Sequence, residues 1–177
     1  HFEMTGDRID EEMLEFLSRV REGLFQFEIG VQTTYDKCAA SINRNVDFCK
    51  LSRTVKTISG FKNIHLHLDL IAGLPHEGFK RFRDSFDDVY RLKPQKLQLG
   101  FLKLLKGSKI RKEKDKYGYI FQEEPPYEVL GNDAIRYEEL LKLKGIEEML
   151  EKYYNSGDFQ NALEYIFAHF YKSPFEF

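Results

Sequence analysis

The sequence predicts an α/β protein: a partial (β/α) barrel of about four parallel strands with outer helices, followed by a mostly helical C-terminal region. Three observations predict it. Residues 1–4, 25–32, 65–70 and 97–101 alternate apolar and polar side chains, the period of a half-buried strand. Helical patterns separate these runs, so the strands are parallel. The polar members of the alternation are His1, Glu3, Gln26, Glu28, Gln32, His65, His67, Asp69 and Gln98. Parallel strands are normally apolar on both faces, and burying so many polar groups unpartnered costs about 1–3 kcal/mol each. A sheet curved around a wet ligand site, with helices on its outer face only, resolves the conflict.

Each element follows from its own signals. Residues 1–4 form the first strand and 5–10 a turn. Asp10 caps a helix whose stripe is Met13, Leu14, Phe16, Leu17 and Val20, and Gly23 ends it. Residues 25–32 are the second strand and 35–43 a short helix. Asp47 caps a longer helix with Phe48, Leu51, Val55 and Ile58 inward, closed by Gly60. The third strand, 64–71, runs into Gly73-Leu74-Pro75. Residues 78–92 read as a helix with Phe79, Phe82, Phe86 and Val89 facing the core, broken by Pro94. The fourth strand is 96–102, and Gly107-Ser108 opens a charged helix over 109–116, whose basic cluster reads as a solvated face. Residues 119–130 are extended, 133–154 a long helix and 158–171 another. The change of character near Tyr119 divides the chain into 1–118, the barrel unit, and 119–177, a helical domain.

Composition narrows the function. The 177 residues carry 27 Lys and Arg against 29 Asp and Glu, a net charge of −2, so no basic excess points to nucleic acid. No apolar run is long enough for a bilayer and no signal-peptide pattern is present, so no membrane partner and a cytoplasmic location are expected. Cys38 and Cys49 lack the spacing of a metal motif and read as semi-buried thiols in helices.

In parallel α/β sheets, ligands lie at the carboxyl ends of the strands. That rule selects Glu3 from the first strand, Gly30 and Gln32 from the second, and Asp69 and Gly73 from the third. Ionised Glu3 and Asp69 accept hydrogen bonds only and suit ribose hydroxyls or an amine. Gln32 offers both donors and acceptors. Gly30 and Gly73 allow close backbone approach. Arg44 can fork a carboxylate. The bland alternative is an internal ion-pair network of Glu3, Asp69 and Arg44. His65 and His67 share a strand face and read as polar filling or a substrate contact rather than a metal site.

Residues 27–32 (FEIGVQ), 42–44 (INR) and 68–75 (LDLIAGLP) resemble, in order and separation, the second half of a radical S-adenosylmethionine (radical SAM) enzyme. The likeness is to oxygen-independent coproporphyrinogen oxidases and cobalamin-binding radical SAM proteins, relatives of the anaerobic magnesium-protoporphyrin ester cyclase included. It covers about residues 2–108, and the tail resembles an uncharacterised domain that follows some cobalamin-binding cores. The resemblance implies that Glu3 and Asp69 meet the ribose of S-adenosylmethionine, Gln32 its nucleoside and Arg44 its methionine carboxylate. It also implies a [4Fe–4S] cluster and, in the longer protein, cobalamin. The chain departs from the family in lacking the Cys-x-x-x-Cys-x-x-Cys triad that holds the cluster.

The expectation is therefore a fragment of a radical SAM iron–sulfur oxidoreductase, inactive alone. The intact enzyme would generate a 5′-deoxyadenosyl radical for hydrogen abstraction from a small-molecule or peptide substrate. The alternatives are a cobalamin-dependent radical SAM methyltransferase and a non-catalytic scaffold module. In the last, Tyr137, Leu140, Leu141 and Met149 would dock a partner; packing of that face on the barrel is the preferred reading. The open edge of the first strand is expected to drive self-association.

Overall fold

The computed structural model describes residues 1–177. Strands β1 (Phe2–Met4), β2 (Gln26–Gln32), β3 (His65–Ala72) and β4 (Lys96–Phe101) form one sheet in the order β1-β2-β3-β4. Every pairing in it is parallel. The connections are helical: α1 (Glu11–Ser18), α2 (Asp36–Ser41), α3 (Phe48–Phe61) and α4 (Phe79–Tyr90). The expected partial barrel of parallel strands with outer helices is present.

The alternation sorts the two faces of the sheet as the sequence requires. Phe27, Ile29 and Val31 of β2, Leu66, Leu68 and Leu70 of β3, and Leu97 and Leu99 of β4 are buried. They belong to one core with Leu51, Val55 and Ile58 of α3 and Phe82, Phe86 and Val89 of α4. Truncating any such leucine to alanine costs about 2–5 kcal/mol. The caps are where they were expected: Asp10 Oδ1 accepts from Met13 N–H at 2.8 Å and Asp47 Oδ1 from Lys50 N–H at 2.9 Å. Residues 5–10 contain a 3₁₀ turn, Gly6–Arg8, and α3 runs past Gly60 to stop at Lys62, which is left-handed at φ 60°.

After β4 the structure departs from the expected pattern. The charged helix is only α5 (Lys109–Lys112), continued by a 3₁₀ helix, Lys114–Tyr117. The extended stretch folds into a small antiparallel pair, β5 (Ile120–Phe121) and β6 (Val129–Gly131). The long helix starts late, as α6 (Tyr137–Met149), because Asn132 Oδ1 accepts from Ala134 and Ile135 N–H and holds a turn there. It then widens into a π-helix, Leu150–Asn155, before α7 (Gln160–His169). On α6, Leu140 is buried but Tyr137, Leu141 and Met149 are about half exposed, so the four do not share one packed face. The two thiols also differ: Cys38 is buried and Cys49 exposed.

The tail is fastened to the sheet by directional bonds. Asn155 Oδ1 accepts from Leu97 N–H at 3.0 Å, and its Nδ2 donates to Leu97 C=O at 2.9 Å. Val129 N–H donates to Leu102 C=O and Leu104 N–H to Tyr127 C=O, both at 2.9 Å. Phe175 is buried against the rings of Phe79, Phe82 and Phe86, and its N–H donates to Asp87 at 3.0 Å.

Candidate functional site

The polar face of the sheet gathers the selected residues through strand register. Glu3 pairs with Glu28 across β1 and β2, and Gly30 with Asp69 across β2 and β3. A bulge between Gly30 and Gln32 shifts the register and turns Gln32 left-handed, at φ 70°. Its side chain folds back over Gly30. A Cβ on Gly30 would lie 2.4 Å from Gln32 Nε2 and 3.1 Å from Arg44 Nη2, so the missing side chain is the space these two groups occupy. Arg44 arrives by a similar device. Asn43, at φ 56°, closes α2, a position that asparagine tolerates, and Arg44 Nη2 then donates to Gly30 C=O.

The electrostatics of this cluster are those of a site short of partners. Arg44 Nε, Asp69 Oδ1 and Asp7 Oδ1 are buried with no hydrogen-bond partner. Burial lowers the Arg44 pKa, opposed by Asp7 and Asp69. Burial, then Glu28 and Glu3, pushes Asp69 up to about 7 against the pull of Arg44. Arg44 forms no salt bridge, so the alternative, a direct ion-pair network with Glu3 and Asp69, is not what holds it. At the other end of the face, His1 Nε2 lies 3.0 Å from Glu28. The ligating atoms of His1, Glu3 and Glu28 fall within 4.8 Å of one another, a set able to hold a cation. Gln26 Nε2 lies 3.1 Å from His67 Nε2, and burial followed by His65 lowers the His67 pKa.

Glu3, Gly30, Gln32, Arg44 and Asp69 therefore come together, and Gly73 does not. Its neighbours are Leu102 and Val129, and its carbonyl accepts from Tyr119 Oη and Asn132 Nδ2, each at 2.9 Å. The tail fills the approach to that glycine. Asp7 and Glu28 join the cluster without having been singled out in the sequence. A second polar group lies under α2 and α4. There the buried Glu77 accepts from Thr33 Oγ1 at 2.8 Å and Ser85 Oγ at 2.6 Å, with Cys38 Sγ 4.0 Å from its other oxygen. Burial, followed by the Glu77 charge, pushes the Cys38 thiol up to about 12. A buried neutral thiol of this kind is inert packing.

Similarity to known proteins runs along both parts of the chain. Residues 115–177 match the family described as a protein of unknown function, DUF4080. The oxygen-independent coproporphyrinogen-III oxidase-like protein HemZ of Bacillus subtilis is 31% identical over 124 residues, 67% of this chain and 23% of HemZ. Among solved structures, the radical S-adenosylmethionine methyltransferase TsrM of Kitasatospora setae, with cobalamin and a [4Fe–4S] cluster bound, superposes with a TM-score of 0.56. It does so over 76% of this chain and 27% of TsrM at 13% identity. The radical SAM enzyme HemN of Escherichia coli, a coproporphyrinogen III oxidase, matches 55% of this chain and 22% of its own at 23% identity and a TM-score of 0.49. The chain spans about a quarter of the length of these proteins. The chain is thus similar in sequence to a coproporphyrinogen oxidase-like protein and in fold to part of a radical SAM structure, and its last third matches DUF4080.

Proposed function

We propose that this chain supplies one wall of the S-adenosylmethionine site of a longer radical SAM oxidoreductase. The observation that carries the reading is the trio of buried, unpartnered atoms on Arg44, Asp69 and Asp7. Leaving them so costs about 1–3 kcal/mol each, and a ligand with both carboxylate and hydroxyl groups removes that cost. Arg44 has an unpartnered Nε to offer a carboxylate. Asp69 and Glu3 accept from ribose hydroxyls, and the Gln32 amide lies over Gly30 to meet the base or sugar edge. The negative cluster of Glu3, Glu28 and Asp69 favours a sulfonium. S-Adenosylmethionine held there would supply the chemistry for hydrogen abstraction from substrate.

The cluster does not fit this chain. Of its two cysteines, Cys38 is buried against Glu77 and Cys49 is exposed on α3, so the thiolates come from elsewhere in the longer protein. Cobalamin, in this reading, is held by a separate domain. The test is titration of the intact protein with S-adenosylmethionine. Arg44→Ala and Asp69→Ala should each weaken binding about 10–100-fold, the range for losing a charge-assisted hydrogen bond. Unchanged affinity in both variants defeats the assignment.

A further inference from the structure

The loop after β4 carries an unbalanced charge beside the cofactor wall. Residues 103–116 hold seven Lys and Arg against two carboxylates, Glu113 and Asp115, whereas the whole chain is nearly neutral. Lys106, Lys109 and Lys112 are exposed. The placement of the loop makes this charge informative. Lys109 Nζ donates to Asn43 Oδ1 at 3.2 Å, and Asn43 is the residue that turns Arg44 into the cluster. The loop thus leaves β4, at one side of the sheet, and reaches the connection after β2, two strands away. It lies at the carboxyl ends of the strands, where ligands of parallel sheets are met.

The loop is also held in shape. The Arg111 guanidinium lies 4.9 Å from the ring centres of both Phe121 and Tyr127, and its Nη1 donates to Leu104 C=O at 2.8 Å. Lys106 Nζ lies 5.6 Å from the Tyr127 ring. Glu113 lies 3.8 Å from Lys109 and 3.6 Å from Lys116, which leaves Lys106 and Lys112 without a carboxylate partner. A fixed basic rim near a cluster of carboxylates separates two ligands by charge: a cation belongs with Glu3, Glu28 and Asp69, an anion with the lysines.

We infer that this rim binds the substrate and that the substrate is a small polyanion, bearing carboxylate or phosphate groups. The inference rests on the cofactor reading for its location, and its test reads the two separately. The intact protein is titrated with citrate, inorganic pyrophosphate and a single-stranded RNA oligonucleotide, and in parallel with S-adenosylmethionine. Citrate or pyrophosphate should bind in a salt-sensitive manner, and the tighter of the two identifies the anion. The double variant Lys106→Glu/Lys112→Glu should weaken that binding by about tenfold or more, since two contacts change sign. The milder Lys106→Gln/Lys112→Gln should lose part of the affinity, which guards against misfolding of the reversal. S-Adenosylmethionine affinity should stay within about twofold in both variants, as should anion affinity in a control, Lys50→Glu/Lys56→Glu on exposed α3 positions. Anion binding that survives the reversal, or RNA bound more tightly than either small anion, overturns the inference. Loss of S-adenosylmethionine binding in Arg44→Ala with anion binding intact leaves both readings standing.

Discussion

Asp69, on the polar face of the sheet, carries a charge that its surroundings oppose. Burial, then Glu28 and Glu3, lifts its pKa from 3.8 to about 7, and Arg44 opposes them. A carboxyl raised in the folded state keeps its proton longer than in the unfolded chain, so its ionisation works against folding. The penalty is absent below about pH 4, grows as pH rises towards 7, and is constant above that. Asp69→Asn removes this titration. Thermal melts should show variant and wild type close together at about pH 4 and the variant progressively the more stable up to about pH 7; a gap that narrows with rising pH would contradict the assignment. Glu3, Gln32, Arg44 and Asp69 could be read from the sequence because alternation places them on one face and late in their strands. Glu28 stands in the same alternation, but only its register opposite Glu3 shows that it presses on Asp69. Asp7 lies in a 3₁₀ turn with no periodicity to mark it. Thr33, Cys38, Glu77 and Ser85 are scattered along the chain and meet only when α2 and α4 pack.

The π-helix Leu150–Asn155 has an identifiable cause at the level of elements. It turns Tyr154 and Asn155 towards the sheet, where Tyr154 Oη donates to Pro94 C=O and Asn155 bonds both backbone groups of Leu97. One amide side chain thus does for the edge of β4 what a neighbouring strand would do. Asn155→Ala leaves the Leu97 N–H and C=O without partners, at about 1–3 kcal/mol for a buried group. The melting temperature should fall, and the Leu97 amide should exchange faster than those of Leu66 and Leu68 on central β3. Unaltered protection at Leu97 would show that the clasp is not needed. None of this is visible in the sequence, because a π-turn has no side-chain period of its own and is maintained by tertiary bonds. The strands and α4 were legible for the opposite reason: alternation, Phe82, Phe86 and Val89 all report on a single buried face. The region from Tyr119 to Ala134 was legible only as irregular, since its form depends on the bonds to Gly73, Leu102 and Leu104.

The molecule as a whole treats the two borders of its sheet differently. The β4 border is covered by Asn155 and by residues 127–129. β1, at the other border, pairs only with β2, and Phe2 is 52% exposed. No helix is long and apolar enough to cross a membrane. An uncovered edge with an apolar residue on it is a template for pairing with another strand, so we infer that this 177-residue chain self-associates through β1 and not through β4. Sedimentation velocity over a rising concentration series should show a reversible shift to larger species. Phe2→Lys should suppress it, because a charge on an edge strand opposes pairing. Asn155→Ala exposes the opposite border and so should leave β1-mediated association in place. A melting temperature and far-ultraviolet circular dichroism spectrum close to those of the wild-type chain check that the variant is folded. A wild-type chain that remains monomeric at high concentration, or association unaffected by Phe2→Lys, would remove β1 as the contact.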